Sequence, residues 1–153
     1  MKTNPVIHFE MPAEDRERVA KFYTNVFGWK TKQYGIEYGN YVLATTTETD
    51  EKGMIKTPGN INGGFFTKTD SNQSTKVVIA VDDIRDTMKR VVEAGGRVID
   101  GRVPGEPENM PGLGLFALIV DTEGNQVSLM QPTSGSEVDT ETSRSNVPVT
   151  EKS

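Results

Sequence analysis

The stretch VIHFEMPAEDRERVAKFYTNVFGWK, Val6 to Lys30, decides the fold, because it reads as a strand, a capped helix and the start of a second strand. Ile7, Phe9 and Met11 give one strand face an apolar character, while Val6, His8 and Glu10 alternate onto the other. His8 is the single histidine of the chain. Asp15 stands where a helix cap is needed, Glu17 lies in the first turn, and Val19, Phe22, Val26 and Phe27 recur at i, i+3, i+7 and i+8. Gly28 then tolerates the positive φ that ends a helix. The helix is expected to cover one strand face and leave the face bearing His8 to line something else.

Working outward, Trp29 to Ile36 and Tyr41 to Thr46 read as a hairpin about the turn residues Tyr38-Gly39-Asn40. The polar segment from Thr47 to Asn62, broken by Gly53, Pro58 and Gly59, reads as a long surface loop, and Gly63 to Thr67 as a fourth strand. After the linker KTDSNQS (Lys68 to Ser74) the pattern restarts. KVVIAV (Lys76 to Val81) is a strand, Asp82-Asp83 a cap, and Ile84, Met88, Val91 and Val92 fall on one helical stripe ended by Gly95-Gly96. Arg97 to Gly101 opens the next strand, and Val103 to Gly112 reads as a second loop. Leu113 to Val120, apolar on both faces, reads as a buried central strand, and Gln126 to Gln131 closes the set after a turn at Asp121 to Asn125.

The order is strand, helix, three strands, twice over. Module one spans about 5–67 and module two about 76–131, together one domain over 1–132; the Ser, Thr and charge-rich segment 133–153 is expected to be a disordered tail. The expected fold class is α+β, with the two βαβββ modules making a half-open, cup-shaped mixed β-sheet and one helix per module packed outside. Its concave face would enclose a small-molecule cleft.

Composition narrows the function. The 153 residues carry a net charge of -5, with 34% hydrophobic residues, enough for one core. The acidic balance and the absence of a basic patch exclude duplex nucleic acid and an anionic membrane surface as main partners. With no cysteine, thiolate chemistry and disulfides are excluded, so a metal would need His, carboxylate or amide ligands. MKTNPVIHFE lacks the apolar run of a secretory signal, and the expected location is cytoplasmic. Gly63-Gly64 and the 103–112 loop lack the lysine and helix of a P-loop. Ser128 has no sharp elbow that would make it a nucleophile for His8.

The paired modules, the phrase KFYTNVFGWK closing the first helix and DTEGNQVSLMQ ending the second module resemble the vicinal oxygen chelate superfamily over about residues 5–132. That group includes glyoxalases, bleomycin-resistance proteins, extradiol dioxygenases, epimerases and fosfomycin-resistance enzymes. In its metal-dependent members, the resemblance implies, side chains from the first and last strands of both modules hold a divalent ion. His8 matches the first such position. Val78 and Ser128 stand at two others, and Phe65 or Phe66 near the fourth, so the donors present do not fill a zinc, nickel or iron shell.

The expected site therefore has His8 and Glu10, two residues apart on one strand face, as acid–base candidates, and His8 as the sole metal-ligand candidate. Trp29, Tyr41, Phe65, Phe116, Gln126, Ser128 and Met130 are the expected ligand-binding residues, reading a small organic molecule by stacking and hydrogen bonds. No cofactor is expected. The alternative is a divalent-metal-dependent lyase, isomerase or dioxygenase of the glyoxalase type using His8. The resemblance is compatible with a homodimer, although both modules lie in one chain.

Overall fold

The computed structural model describes residues 2–52 and 54–133. The expected tail lies outside the described residues. Two compact units are present, one formed by residues 8–75, the other by 76–133 together with the N-terminal residues up to Ile7.

The first unit takes β1 (Val6–Ala13) from His8 onward, then α1 (Arg16–Phe27), β2 (Lys30–Gln33), β3 (Val42–Thr45) and β4 (Asn62–Thr67), in the sheet order β2-β3-β4-β1. β1 runs parallel to β4, and the two hairpin contacts are antiparallel, so the sheet is mixed. Asp15 caps α1 by accepting the Arg18 N–H at 2.9 Å, and Gly28 ends it at φ 73° with its own N–H on the Thr24 carbonyl. The helix buries Ala20, with Val19 and Tyr23, against Met11, Ala13, Val42, Ala44 and Phe65. This corrects the expected stripe. Phe22, Val26 and Phe27 are all more than half exposed, because the contact line runs through Val19, Ala20 and Tyr23 and turns the other three toward solvent. The second strand is also shorter than expected, giving way to a 3₁₀ turn at Ile36–Tyr38 that ends at Gly39, φ 64°.

The second unit repeats the plan. β5 (Lys76–Ala80) is followed by α2 (Ile84–Glu93), β6 (Arg97–Ile99), β7 (Glu108–Met110), β8 (Gly114–Val120) and β9 (Gln126–Pro132). Its order β6-β8-β9-β5, with β5 parallel to β9, matches that of the first unit strand for strand. The added strand β7 pairs with β8 and lies inside what reads from sequence as a plain loop. Asp83 caps α2 through the Asp86 N–H, and Gln131 gives its carbonyl oxygen to the Ile84 N–H at 2.9 Å. Val81, Ile84, Met88, Ile119 and Leu129 form the helix-side core, whereas Val92 stays exposed. The opposite face gathers Ile7, Val78, Ala80 and Met130, with Phe116 packed on them.

No helix among the described residues is long and apolar enough to cross a membrane.

Candidate functional site

The pleat of the first unit sorts its residues by face. Phe9, Met11 and Ala13 point to α1, so His8 and Glu10 point away from it. Register places Asn62 beside His8 and Gly64 beside Glu10 on the same face, with Leu43 beyond Gly64. Tyr41 is two residues before Leu43 and shares its face. Its backbone carbonyl accepts the Tyr34 N–H at 2.9 Å.

His8 is fully buried, and its Nε2 lies 3.0 Å from the Tyr41 hydroxyl, which donates to Glu10 Oε2 at 3.2 Å. A hydroxyl has one proton. Since that proton goes to Glu10, the Tyr41 oxygen accepts from His8, and the imidazole carries its hydrogen on Nε2. Imidazole, phenol and carboxylate thus form one directed chain on the sheet face.

Gly64 makes this chain possible. A Cβ at Gly64 would fall inside the van der Waals envelope of the Tyr41 hydroxyl and ring, so the phenol lies directly on the bare β4 backbone and reaches β1. At Gly63 the same holds on the helix side, where a Cβ would meet the Phe9 ring.

Asn62 stands at the other end of the face, 2% exposed. Its Oδ1 accepts the backbone N–H groups of Thr46 at 2.7 Å and Thr47 at 3.2 Å, which ties β4 to the end of β3. Its Nδ2 has no partner among the described residues, and neither does the buried Tyr34 hydroxyl. Burial, and then the charge of Tyr38, holds the Tyr34 phenol well above the ordinary tyrosine range.

Of the residues expected at the site, the structure brings together His8, Glu10 and Tyr41. Tyr41 enters as a hydrogen-bonding group rather than as a stacking ring. Trp29 and Phe65 lie on the helix side instead. Trp29 stacks on Tyr23 at 4.6 Å and touches Phe9, and Phe65, 1% exposed, packs against Tyr23. Phe116, Ser128 and Met130 belong to the second unit, with Met130 in the cluster around Val78 and Ala80 and Ser128 paired in register with Val78. Gln126 opens β9 opposite Val120. Asn62 and Tyr34 were not singled out from sequence; the available signal was the in-phase spacing of Asn62 with Gly64 on a strand flanked by loop.

A divalent metal, which the fold family implies, does not fit these residues. Among the described residues no three His, Cys, Asp or Glu side chains converge into a metal-binding group. His8 and Glu10 both already engage the Tyr41 hydroxyl, and the Asn62 amide oxygen beside His8 is taken by the Thr46 and Thr47 N–H groups.

The family described as glyoxalase-like domain matches residues 7–130. A glyoxylase-like domain-containing protein of Didymella fabae is 32% identical over 120 residues, covering 76% of this chain and 84% of its own. Among solved structures, a hypothetical protein from Bacillus halodurans C-125 is similar at a TM-score of 0.60 and 14% identity, over 89% of this chain and 99% of that one. A methylmalonyl-CoA epimerase from Streptomyces coelicolor, in complex with 2-nitronate-propionyl-CoA, is similar at 0.60 and 14%, over 87% and 97%. The twin strand–helix–three-strand units and the match across both of them place this chain in the glyoxalase-like domain family, with the vicinal oxygen chelate fold.

Proposed function

We propose that this protein binds a small organic molecule on the His8 face of its first unit, in a binding or resistance-type role that needs no divalent metal. The observation that carries this reading is the hydrogen-bonded chain from His8 through Tyr41 to Glu10. Polar groups gathered on an otherwise apolar sheet orient a ligand by hydrogen bonds, and Leu43 beside them supplies apolar contact. The fold shared with the epimerases supports small-molecule binding in general. At 14% identity it carries no argument for their substrate.

The same chain favours a second reading, in which the bound molecule exchanges a proton with this face. An imidazole and a carboxylate joined through one hydroxyl pass a proton without either group having to move. Nuclear magnetic resonance in deuterium oxide separates binding alone from exchange at a carbon next to a carbonyl.

The test uses the full chain purified without a histidine tag. Elemental analysis is expected to find no stoichiometric divalent metal, and zinc, nickel or manganese should leave the melting temperature unchanged. A thermal-shift screen of thiol adducts, aromatic antibiotics and catechols is expected to find a stabilising ligand, as binding to the native state requires. Stoichiometric metal that disappears in His8→Ala would overturn the reading in favour of a metal-dependent lyase, isomerase or dioxygenase.

A further inference from the structure

We propose that Asn62 is the anchoring donor of this site and that it selects ligands carrying a carboxylate or carbonyl oxygen. This inference rests on the small-molecule reading above and gives it a ligand class.

The orientation of the Asn62 carboxamide is fixed by chemistry. Two backbone N–H groups, Thr46 and Thr47, point at one terminal atom of the side chain at 2.7 and 3.2 Å. That atom must be the acceptor, because an NH2 group there would face two donors. The Thr46 hydroxyl donates to the Ile61 carbonyl at 2.7 Å and also lies 3.4 Å from the same Asn62 atom, where as a donor it agrees with an acceptor at that position. Nδ2 is therefore the other terminal atom. It is buried, it offers two protons, and no acceptor among the described residues takes either. A buried donor without a partner is unfavourable and rare in folded proteins. Tying Oδ1 to two backbone amides holds this donor rigidly, in register with His8 on the same strand pair. A preorganised NH2 group of this kind complements an sp² oxygen. It offers nothing to an ammonium or other donor-only group.

The experiment compares three probes on one frame, phenylacetate, phenylacetone and phenethylamine, by thermal shift and by ¹H–¹⁵N spectra of the full chain. The two oxygen-bearing probes are expected to bind, to shift the Asn62 side-chain NH2 resonances and to slow their exchange with solvent; phenethylamine should do neither. In Asn62→Asp the remaining oxygen still accepts from Thr46 and Thr47 while the donor becomes an acceptor. Phenylacetate should bind it about 10- to 100-fold more weakly. Should that variant fail to fold, the NH2 resonances of the unaltered protein decide the matter. Probes that shift the His8 ring but bind Asn62→Asp equally well, or leave the Asn62 NH2 hydrogen-bonded to a retained water, overturn this inference and leave the binding reading standing. No binding of either oxygen-bearing probe at millimolar concentration, with no small molecule found in the wider screen, overturns both.

Discussion

Replacing Tyr41 by phenylalanine removes one oxygen atom and with it the hydrogen bonds to His8 and Glu10, and the cost follows from what each of these partners can do next. Glu10 is only partly buried, so water replaces the lost donor at its carboxylate and little is lost there. His8 is fully buried, so its Nε2–H loses the Tyr41 acceptor in the interior. Losing that contact is worth about 2 kcal/mol, within the roughly 1–3 kcal/mol typical of a buried polar group that loses its partner. With roughly 2 cal/mol/K of unfolding entropy per residue over about 130 described residues, the melting temperature should fall by about 7 °C. Differential scanning calorimetry of Tyr41→Phe, Glu10→Gln and the double variant measures this. Tyr41→Phe should carry most of the loss, and Glu10→Gln should add less than its single-variant effect because its donor has gone. A fall of less than about 1 °C, with the His8 ring resonances unmoved, would refute the directed chain.

Four further outcomes follow from the same geometry. Long-range ¹H–¹⁵N spectra should show a hydrogen on Nε2 of the His8 ring, and a ring carrying its hydrogen on Nδ1 alone would reverse the proton assignment. Gly64→Ala should push the Tyr41 phenol off the β4 backbone and reproduce the spectral change of Tyr41→Phe; an unchanged His8 signal would show that the phenol has room to slide. Phe65→Ala, which empties a site buried between α1 and the sheet, should cost about 3–5 kcal/mol in urea titrations, and a loss below about 1 kcal/mol would mean α1 collapses into the gap. Asp121 accepts from the Asn125 side chain and from the Asn125 and Glu123 N–H groups, which hold its carboxyl below the ordinary aspartate range. Its stabilising effect is thus fully present above the unfolded-chain value near 4 and is lost as pH falls through the lower folded value. Asp121→Asn should flatten that acid limb, and an Asp121 carboxyl that titrates near 4 in the folded protein would contradict the assignment.

Local signals gave the elements. The Asp15 cap, the Gly28 stop and their counterparts at Asp83 and Gly95 are residue-level chemistry, readable without knowing any partner. The twin order follows from repetition of that chemistry. Where the sequence was misleading, contacts between distant segments decided. Phe22, Val26 and Phe27 form as good a helical stripe as Val19, Ala20 and Tyr23, and packing against Val42, Ala44 and Phe65, distant in sequence, settles which faces inward. His8 and Glu10 were legible as neighbours because they share a strand. That their link passes through Tyr41, more than 30 residues on, depends on the β3 to β4 register and on Gly64, which reads from sequence only as part of a short fourth strand. Strand β7 is three residues long inside a proline and glycine-rich segment, too short to show a period.

Gly63 and Gly64 leave β4 bare on both sides at consecutive residues, with the Phe9 ring against one surface and the Tyr41 ring against the other. Along this short span the sheet is a membrane one peptide thick, dividing a greasy compartment under α1 from a polar one. Two adjacent codons therefore act as separate windows. Enlarging position 63 disturbs the oily side, enlarging position 64 disturbs the proton-bearing side, and comparing the two tells an experimenter which side a given loss of behaviour comes from.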